Sequence, residues 1–529
     1  MNQNIFNFFF LFIIALIIFY IFGSTLSFKF NVIDDHQIIT LLGKNNHLDF
    51  EDLKKHISDV AIQIKNSNIR TNLIHFWWPL EAFFFQEVVS LYYFFRLFLI
   101  SIFFIILFFY TFKFVGSYFS FILIILFLSS KSIADIATRI IVPEIVTIIG
   151  LIFLLPLIFK FIKSNDYSYF EKKFTRINIF FYLFFFNFFI FSKESLLPFI
   201  IFPILFIYLY FKNKLNNKIF LLINILNIFF FIIYCYLNFF LIYKDPGALK
   251  GIINLELKNY IRIVFKFIKY CLISYLMHIL IISYIFFKHR NIINLSKFYI
   301  ILSISSATIL FQFVIYNGNL PSNTRYDFVP DLLFYFNTLF LIIYLKKTDI
   351  SFKKFKILTI FFLFLFILSI FKINNFYSTY KAVNQKKNNT VYFESIIKNI
   401  KYLSEKNPSY PIIIISTNVW DYELVSSIFK FLQYKDIKNK IFLRLDYKEK
   451  DMKNELEKIF YERLIDVSLQ NEKINSWANN HKLEWGFESW KKFTGTNNCI
   501  ELKIYTRTTL STMSNINKLC KKSVIYLHS

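Results

Sequence analysis

Long apolar runs recur along most of the chain, separated by shorter polar segments. Each run holds roughly 17–25 residues, enough for a helix to cross about 30 Å of hydrocarbon. The pattern predicts an α-helical polytopic membrane protein with about eleven transmembrane helices. The expected spans are residues 5–27, 92–114, 118–133, 141–162, 177–193, 196–212, 219–243, 268–287, 297–316, 331–346 and 355–372. The third and fourth runs lie close together, so a re-entrant pair is an alternative to two crossings.

The pattern changes after residue 372, where the apolar runs become short. Residues 411–416 and 441–445 resemble buried strands, and residues 421–434 between them have helical spacing. Strand, helix, strand favours a parallel pairing. Residues 499–505 predict a further strand. We therefore expect a transmembrane domain over residues 1–372 and a soluble α/β domain over residues 373–529.

Composition supports lipid as the solvent for much of the chain. Hydrophobic residues make up 56% of the sequence, with 75 Phe and a mean hydropathy of +0.50. One soluble core cannot bury so much apolar surface. The first run lacks a basic segment before it and a small-residue cleavage site after it, so it predicts a retained helix. The four cysteines form neither a disulfide framework nor a zinc spacing, although a single Cys499–Cys520 bridge stays open.

The formal net charge of +26 is mainly a signal of topology. Lys and Arg are concentrated in one alternating set of short loops, including those near Lys172 and Lys353, which predicts that these loops and the N-terminus are cytoplasmic. The other loops are longer and hold most of the loop carboxylates. We expect them to face outward together with the C-terminal domain. The charge therefore indicates attraction to the cytoplasmic leaflet and not a nucleic-acid partner.

Two adjacent carboxylates, Asp34 and Asp35, follow the first span in a large outer loop over residues 28–90. Close carboxylates can raise the pKa of one member, which suits a general base, or can hold a divalent cation. An ordinary solvated turn or helix cap is the alternative. Arg70 adds a cation later in the same loop.

Further charges lie at the outward ends of other spans. Charged side chains beside apolar helices are costly unless they meet partners or water, so they are candidates for a binding site. They are Arg139, Glu144, Lys193, Glu194, Arg325 and the neighbouring Tyr326.

Arg262, Lys266 and Lys269 have i, i+4, i+7 spacing, which places three cations on one helical face near the outer interface. A lipid phosphate can bind such a face. Interfacial lysines that extend toward water, without any ligand, give the same pattern.

This arrangement resembles the GT-C class of polyprenyl-phosphate-dependent glycosyltransferases, including the protein mannosyltransferase and aminoarabinose transferase types. The resemblance covers about residues 1–372 and rests on architecture and short motifs: the acidic pair, Pro143-Glu144, Lys193-Glu194 and Arg325-Tyr326. It implies a cavity open to the outer face that a lipid donor reaches laterally. It also implies that Asp34 or Asp35 deprotonates an acceptor hydroxyl, while Arg70, Lys193 and Arg325 bind the donor phosphate.

The resulting hypothesis is a membrane enzyme that transfers a sugar from a polyprenyl phosphate to a glycan, lipid or protein acceptor outside the cytoplasmic membrane. A divalent cation is an open possibility. A polysaccharide polymerase or ligase and a non-enzymatic transporter or scaffold are the alternatives. A secondary transporter is the weaker of these, because the chain has only 9 Gly and no evident repeat.

Overall fold

Helices form most of the described chain. The computed structural model describes residues 3–31, 35–43, 46–65, 72–163, 176–212, 215, 217–244, 257–288, 296–316, 318–347, 355–416, 422–435, 437–439, 441–445, 498–506 and 522–528. The α-helices before the first strand are α1 Gln3–Phe22, α2 His36–Leu42, α3 Phe50–Lys65, α4 Ile74–Phe85, α5 Val89–Val115, α6 Ser117–Leu128, α7 Lys131–Ala137, α8 Pro143–Lys163, α9 Arg176–Ile190, α10 Ile201–Phe211, α11 Lys218–Lys244, α12 Leu257–Lys288, α13 Ser296–Ile315, α14 Phe328–Lys347 and α15 Phe355–Lys406. Short 3-10 helices cover Gly23–Ser27, Glu194–Ile200 and Arg325–Asp327.

Several helices are suited to a membrane. Within the described residues, five segments are long and apolar enough to cross one: Ile5–Ser27, Val89–Val115, Glu194–Phe211, Lys218–Asn238 and Arg325–Ile343. The first of these exposes Phe8, Phe12 and Phe19, each by more than half. Contiguous exposed apolar surface of this kind is stable in lipid and not in water. The expected membrane-embedded, helical character is confirmed, whereas the number of eleven spans stays a prediction.

The expected third span is bent. Helices α6 and α7 would pass together as one span, but they meet at an angle of 65°. This bend lies inside the third predicted run, and the non-helical residues 138–142 make a second break before α8. Shorter apolar helices, Pro143–Phe159, Ile179–Ile190 and Ile301–Ile315, fall within three other predicted spans.

A four-stranded parallel sheet lies in the C-terminal part of the chain. Its strands are β1 Ile412–Ser416, β2 Ile441–Leu445, β3 Ile500–Thr506 and β4 Lys522–His528. They are ordered β2-β1-β3-β4, and helix α16 Tyr422–Tyr434 connects β1 to β2. The parallel pairing predicted for the first two strands is observed, with Ile412 opposite Ile441. Strand β4 had no counterpart in the sequence analysis.

The chain divides into two compact units. The helical unit comprises residues 1–26, 51–80 and 91–385, and the sheet unit comprises residues 27–50, 81–90 and 386–529. The expected boundary at residue 373 falls within α15, which continues to Lys406. In the sheet unit, one face of the sheet and helices α15, α16 and α2 share a core that includes Ile414, Ile400, Val425 and Ile39.

Cys499, next to strand β3, is disulfide-bonded. Cys235 and Cys271 are free thiols. The fourth cysteine, Cys520, lies outside the described residues. The expectation that a disulfide could form in the C-terminal part is thereby met for Cys499.

Candidate functional site

A buried ion pair joins two of the predicted site residues in the helical unit. The Nζ atom of Lys193 lies 2.6 Å from Oε1 of Glu144, and the two side chains are 4% and 0% exposed. Oε2 of Glu144 is buried and makes no hydrogen bond to the described residues. An ion pair this deeply buried is held at a high cost in desolvation, so both charges depend on each other.

Local sequence explains how this pair is assembled. Helix α8 begins with Pro143 and Glu144. A proline is tolerated at the first helical position, and a carboxylate in the first turn is stabilised by the positive end of the helix dipole. Gly150, two turns later, lets α8 approach α9 closely: a Cβ added there would lie 3.0 Å from the Cα of Phe189. Phe189 precedes Lys193 by four residues. The close helix contact therefore brings Lys193 to the start of α8.

A second carboxylate connects two arginines. Asp135 on the short helix α7 accepts a hydrogen bond from Nε of Arg139 at 2.9 Å. Its other oxygen accepts a hydrogen bond from the backbone N–H of Arg325 at 3.1 Å. Asp135 and Arg325 are 190 positions apart in the chain, so this contact holds the Arg325 turn beside Arg139.

Aromatic rings connect these two charged groups. The guanidinium carbon of Arg325 lies 5.4 Å from the ring centre of Tyr326, and Nζ of Lys193 lies 5.6 Å from the same ring. The ring of Tyr316 is tilted by 36° against that of Tyr326 with ring centres 4.4 Å apart, and it lies 5.8 Å from Nζ of Lys193. Cations over tyrosine faces are stabilised by the ring quadrupole.

These contacts form one polar cluster, comprising Asp135, Arg139, Glu144, Lys193, Arg325 and Tyr326. Exposure changes along it: the side chains of Arg139 and Asp135 are 20% and 12% exposed, whereas Lys193 and Glu144 are buried. A guanidinium presents five N–H donors in a planar fork that suits phosphate or carboxylate. Both ends hold an ion pair, but only the arginine end is partly exposed, so it can meet an anion, while the lysine end is buried.

Glu194 follows Lys193 but is half-buried and faces a different neighbour. Its carboxylate interacts electrostatically with His75 on helix α4. Burial lowers the pKa of His75 from its usual value of 6.5, Glu194 opposes that shift and His56 reinforces it. Glu194 thus acts on the half-buried imidazole of His75, a partner that the position of Glu194 in the sequence did not indicate.

The acidic pair is described at one of its two positions. Asp35 is 1% exposed, and its Oδ2 accepts a hydrogen bond from the backbone N–H of Asn31 at 2.7 Å. It lies immediately before helix α2 in the sheet unit. Burial excludes the solvated-turn alternative for Asp35, whereas the helix-cap alternative matches its place as the N-cap residue of α2, although its side chain makes no capping hydrogen bond. Asp34 and Arg70 lie outside the described residues.

The three cations of the basic face share helix α12 and are all exposed. The aliphatic stem of Lys266 covers Gly318, whose added Cβ would meet the lysine Cδ at 3.0 Å. No ion pair involves Arg262, Lys266 or Lys269 among the parts of the chain that the structure describes. The face is thus open to a ligand, which fits both the phosphate hypothesis and interfacial lysines.

Sequence reasoning missed three members of this environment: Asp135, Tyr316 and His75. Asp135 had a local signal, because it precedes Arg139 by one helical turn and such pairs attract. Tyr316 and His75 had none, because each reaches the site through packing between distant helices.

The described residues contain no group of three or more His, Cys, Asp or Glu side chains that could hold a metal ion. Comparison with protein families, curated proteins and solved structures gave no match.

Proposed function

We propose that the protein is a membrane glycosyltransferase that moves a sugar from a polyprenyl-phosphate donor to an acceptor hydroxyl outside the cytoplasmic membrane. The observation that carries the proposal is the polar cluster: cations and carboxylates from four separate segments meet at the ends of apolar helices. Charge beside such helices is expensive, and its concentration in one place is typical of a functional site.

In the proposed reaction, the acceptor oxygen attacks the anomeric carbon of the donor sugar. A new carbon–oxygen bond forms, the bond from that carbon to the phosphate oxygen breaks, and the leaving polyprenyl phosphate takes the electron pair. A carboxylate accepts the hydroxyl proton, and cations stabilise the phosphate as it leaves.

The geometry supports a division of labour among the predicted phosphate ligands. Arg139 and Arg325 are half-buried at the accessible end of the cluster, so we assign the donor phosphate to them. Lys193 is paired with Glu144 and buried, so we assign it to holding α8 and the Lys193 segment together. Arg70 keeps the role implied by the family resemblance.

We assign the base to the acidic pair, Asp34 or Asp35. Residues 27–50 and 386–529 belong to one compact unit, which supports placing the acidic segment and the C-terminal residues on the same side of the membrane. The disulfide at Cys499 supports an oxidising compartment for that unit, because disulfides are rare in the cytosol. The first observation supports a shared side, and the disulfide favours the outer one.

The exposed basic face of α12 extends the proposal to the donor lipid. Lys258 lies one turn before Arg262 and is exposed as well, so four cations follow one face over three turns. Exposed apolar residues such as Leu257 and Phe265 flank them. A cationic stripe within an apolar surface suits an anionic headgroup at the interface.

The test measures both the donor and the reaction. Lipid-linked sugars are extracted from cells with and without the gene, and the purified protein is then assayed in lipid nanodiscs with the donor that accumulates. We expect an undecaprenyl-phosphate sugar to accumulate when the protein is absent, and turnover of that donor in vitro.

Three results would contradict the proposal. An unchanged pool of lipid-linked sugars would favour a transporter or scaffold, and accumulation of a completed repeat unit would favour a polymerase or ligase. The third is a reporter fused after Ser529 whose activity shows that this end lies in the cytoplasm, since the proposed reaction takes place outside.

A further inference from the structure

The beginning of the first outer loop is attached to the sheet unit at several points. The backbone N–H of Lys29 donates to Oγ1 of Thr390 at 3.3 Å, and Nζ of Lys29 lies 3.9 Å from Glu394. Phe30 packs against the core of that unit, and Ile39 is one of its fully buried members. The described residues on both sides of Asp34 are therefore an integral part of the sheet unit.

One hydrogen bond ties helix α2 to helix α16. Nδ1 of His36 and Oγ of Ser427 are 2.6 Å apart, although the two residues are 391 positions apart in the chain. His36 is 8% exposed and Ser427 is not exposed. A buried hydrogen bond between two helices has a defined geometry and is costly to break, because each partner would lose its hydrogen bond without gaining water.

The His36–Ser427 hydrogen bond, called the tether below, lies directly next to a candidate base. Asp35 precedes His36, and its backbone carbonyl accepts the N–H groups of Ile38 and Ile39 at the start of α2. Its carboxylate accepts the N–H of Asn31, which closes the turn before the helix. A shift of α2 along α16 would therefore move the Asp35 carboxylate with it.

We propose that the C-terminal sheet unit positions Asp35, and that the His36–Ser427 hydrogen bond is the contact that fixes the geometry of its carboxylate. This inference rests on the proposed function, because it assigns His36 and Ser427 as positioning residues for that reaction. It gives the C-terminal part a role that neither composition nor motifs indicate. The alternative is a packing contact that affects stability alone.

The experiment compares two serine-to-alanine substitutions in the full-length protein in nanodiscs. Ser427→Ala removes the tether. Ser404→Ala is the matched control, because Ser404 is also buried in the sheet unit while its Oγ makes no hydrogen bond to the described residues. Misplacement of a reacting group by about 1 Å can cost about 100-fold in rate. We expect Ser427→Ala to lower kcat about 10- to 100-fold with the donor KM unchanged, and Ser404→Ala to change neither.

Two histidine variants separate hydrogen bonding from packing. His36→Asn places an amide where Nδ1 lies, so it can restore the bond to Ser427 and should retain most of kcat. His36→Leu fills similar space without a polar atom and should lose as much as Ser427→Ala. Equal activity of the Asn and Leu variants would overturn the positioning role.

Amide hydrogen exchange tests the tether without turnover. We expect faster exchange at Ile38 and Ile39 in Ser427→Ala than in Ser404→Ala. If the parent protein turns over no lipid-linked sugar, the proposed function fails and this exchange difference still decides the tether. If the parent is active but Ser427→Ala matches Ser404→Ala in kcat and in exchange, the inference fails alone.

Discussion

Among the described residues, each unit of the protein buries a carboxylate–lysine pair. In the helical unit, Glu144 and Lys193 are 2.6 Å apart; in the sheet unit, Glu501 and Lys503 are 2.8 Å apart, and all four side chains are less than a tenth exposed. The first pair joins segments 49 residues apart, whereas the second lies on one strand. Equal burial thus accompanies very different connectivity.

The difference indicates what each pair can control. Residues two apart on a strand share a face, so Glu501 and Lys503 neutralise each other beside Ile413 and Ile415 of the neighbouring strand. Lys193 also faces Tyr326, which borders Arg325. A change at Lys193 therefore affects the arginine end of the polar cluster, whereas a change at Lys503 affects only the sheet. Burial alone does not identify a functional charge; its connections do.

The largest expected effect concerns a carboxylate outside both pairs. A general base contributes roughly 10²–10⁴-fold to rate, so Asp34→Asn or Asp35→Asn should remove most turnover of a polyprenyl-phosphate sugar. Asn at position 35 can still accept the N–H of Asn31, so loss of activity there isolates the charge. Only one of the two needs to be the base.

The control is Glu405→Gln, which neutralises an exposed carboxylate on the same unit and should leave turnover unchanged. A variant of the other aspartate that shifts the pH profile or the metal response would have a supporting role. Turnover at the parent rate in both aspartate variants would make the acidic turn structural.

Breaking the two ion pairs is the next largest effect. Removal of one partner of a buried pair costs about 3–5 kcal/mol, because the remaining charge stays in a low-dielectric site. Lys193→Met and Lys503→Met should therefore both lower the free energy of unfolding, measured by thermal denaturation in one detergent. Only Lys193→Met should also raise the donor KM.

A double substitution checks the electrostatic origin. Glu144→Leu with Lys193→Met removes both charges and should recover much of the stability lost in Lys193→Met, since apolar replacements of buried pairs are often neutral. If the double variant is no more stable than the single one, the pair is not the cause. An equal rise in donor KM for Lys503→Met would remove the contrast between the units.

The sequence was informative where a signal is local. Apolar runs located the helices, and short bounded runs located β1, β2 and β3, because burial of continuous segments leaves a continuous pattern. Strand β4 was not predicted because polar residues at its ends leave an apolar run of only four residues, 524–527. The bend between α6 and α7 also escaped, since polar residues at Ser129 and Ser130 interrupt the run only briefly.

The site was only partly predictable, for a related reason. Side chains that were predicted to share a membrane face could be grouped in advance, and the structure brings Arg139, Glu144, Lys193 and Arg325 together. Their pairing could not be predicted, because it depends on the approach of α8 to α9 at Gly150. The grouping of Asp35 with the C-terminal sheet likewise depends on contacts across most of the chain.

A smaller effect is expected at the exposed basic face, which contrasts with both buried pairs. Replacing Arg262, Lys266 and Lys269 with Gln should raise the donor KM, while the free energy of unfolding changes little because exposed charges contribute weakly to stability. Each interfacial cation contributes about 1 kcal/mol to attraction of an anionic surface, so high salt should reduce the difference. The control is Lys398→Gln, at an exposed position on helix α15 in the sheet unit. An unchanged donor KM would leave these residues as interfacial lysines without a ligand.

The smallest effect concerns His75 in the helical unit, where charge is excluded instead of paired. Burial lowers the pKa of this imidazole from 6.5, against the attraction of Glu194 and with added repulsion from His56. The pKa of His56 is itself lowered by burial, against the attraction of Asp59.

Because the unfolded chain keeps the higher pKa of His75, it binds more protons than the folded protein as the pH falls through 6.5. Stability should therefore decrease between about pH 7.5 and about pH 5.5. His75→Gln should flatten this dependence and leave the part due to His56. Melting temperatures measured across that range in one detergent check the prediction: a His75→Gln variant with the same pH dependence as the parent would show that His75 does not contribute to it.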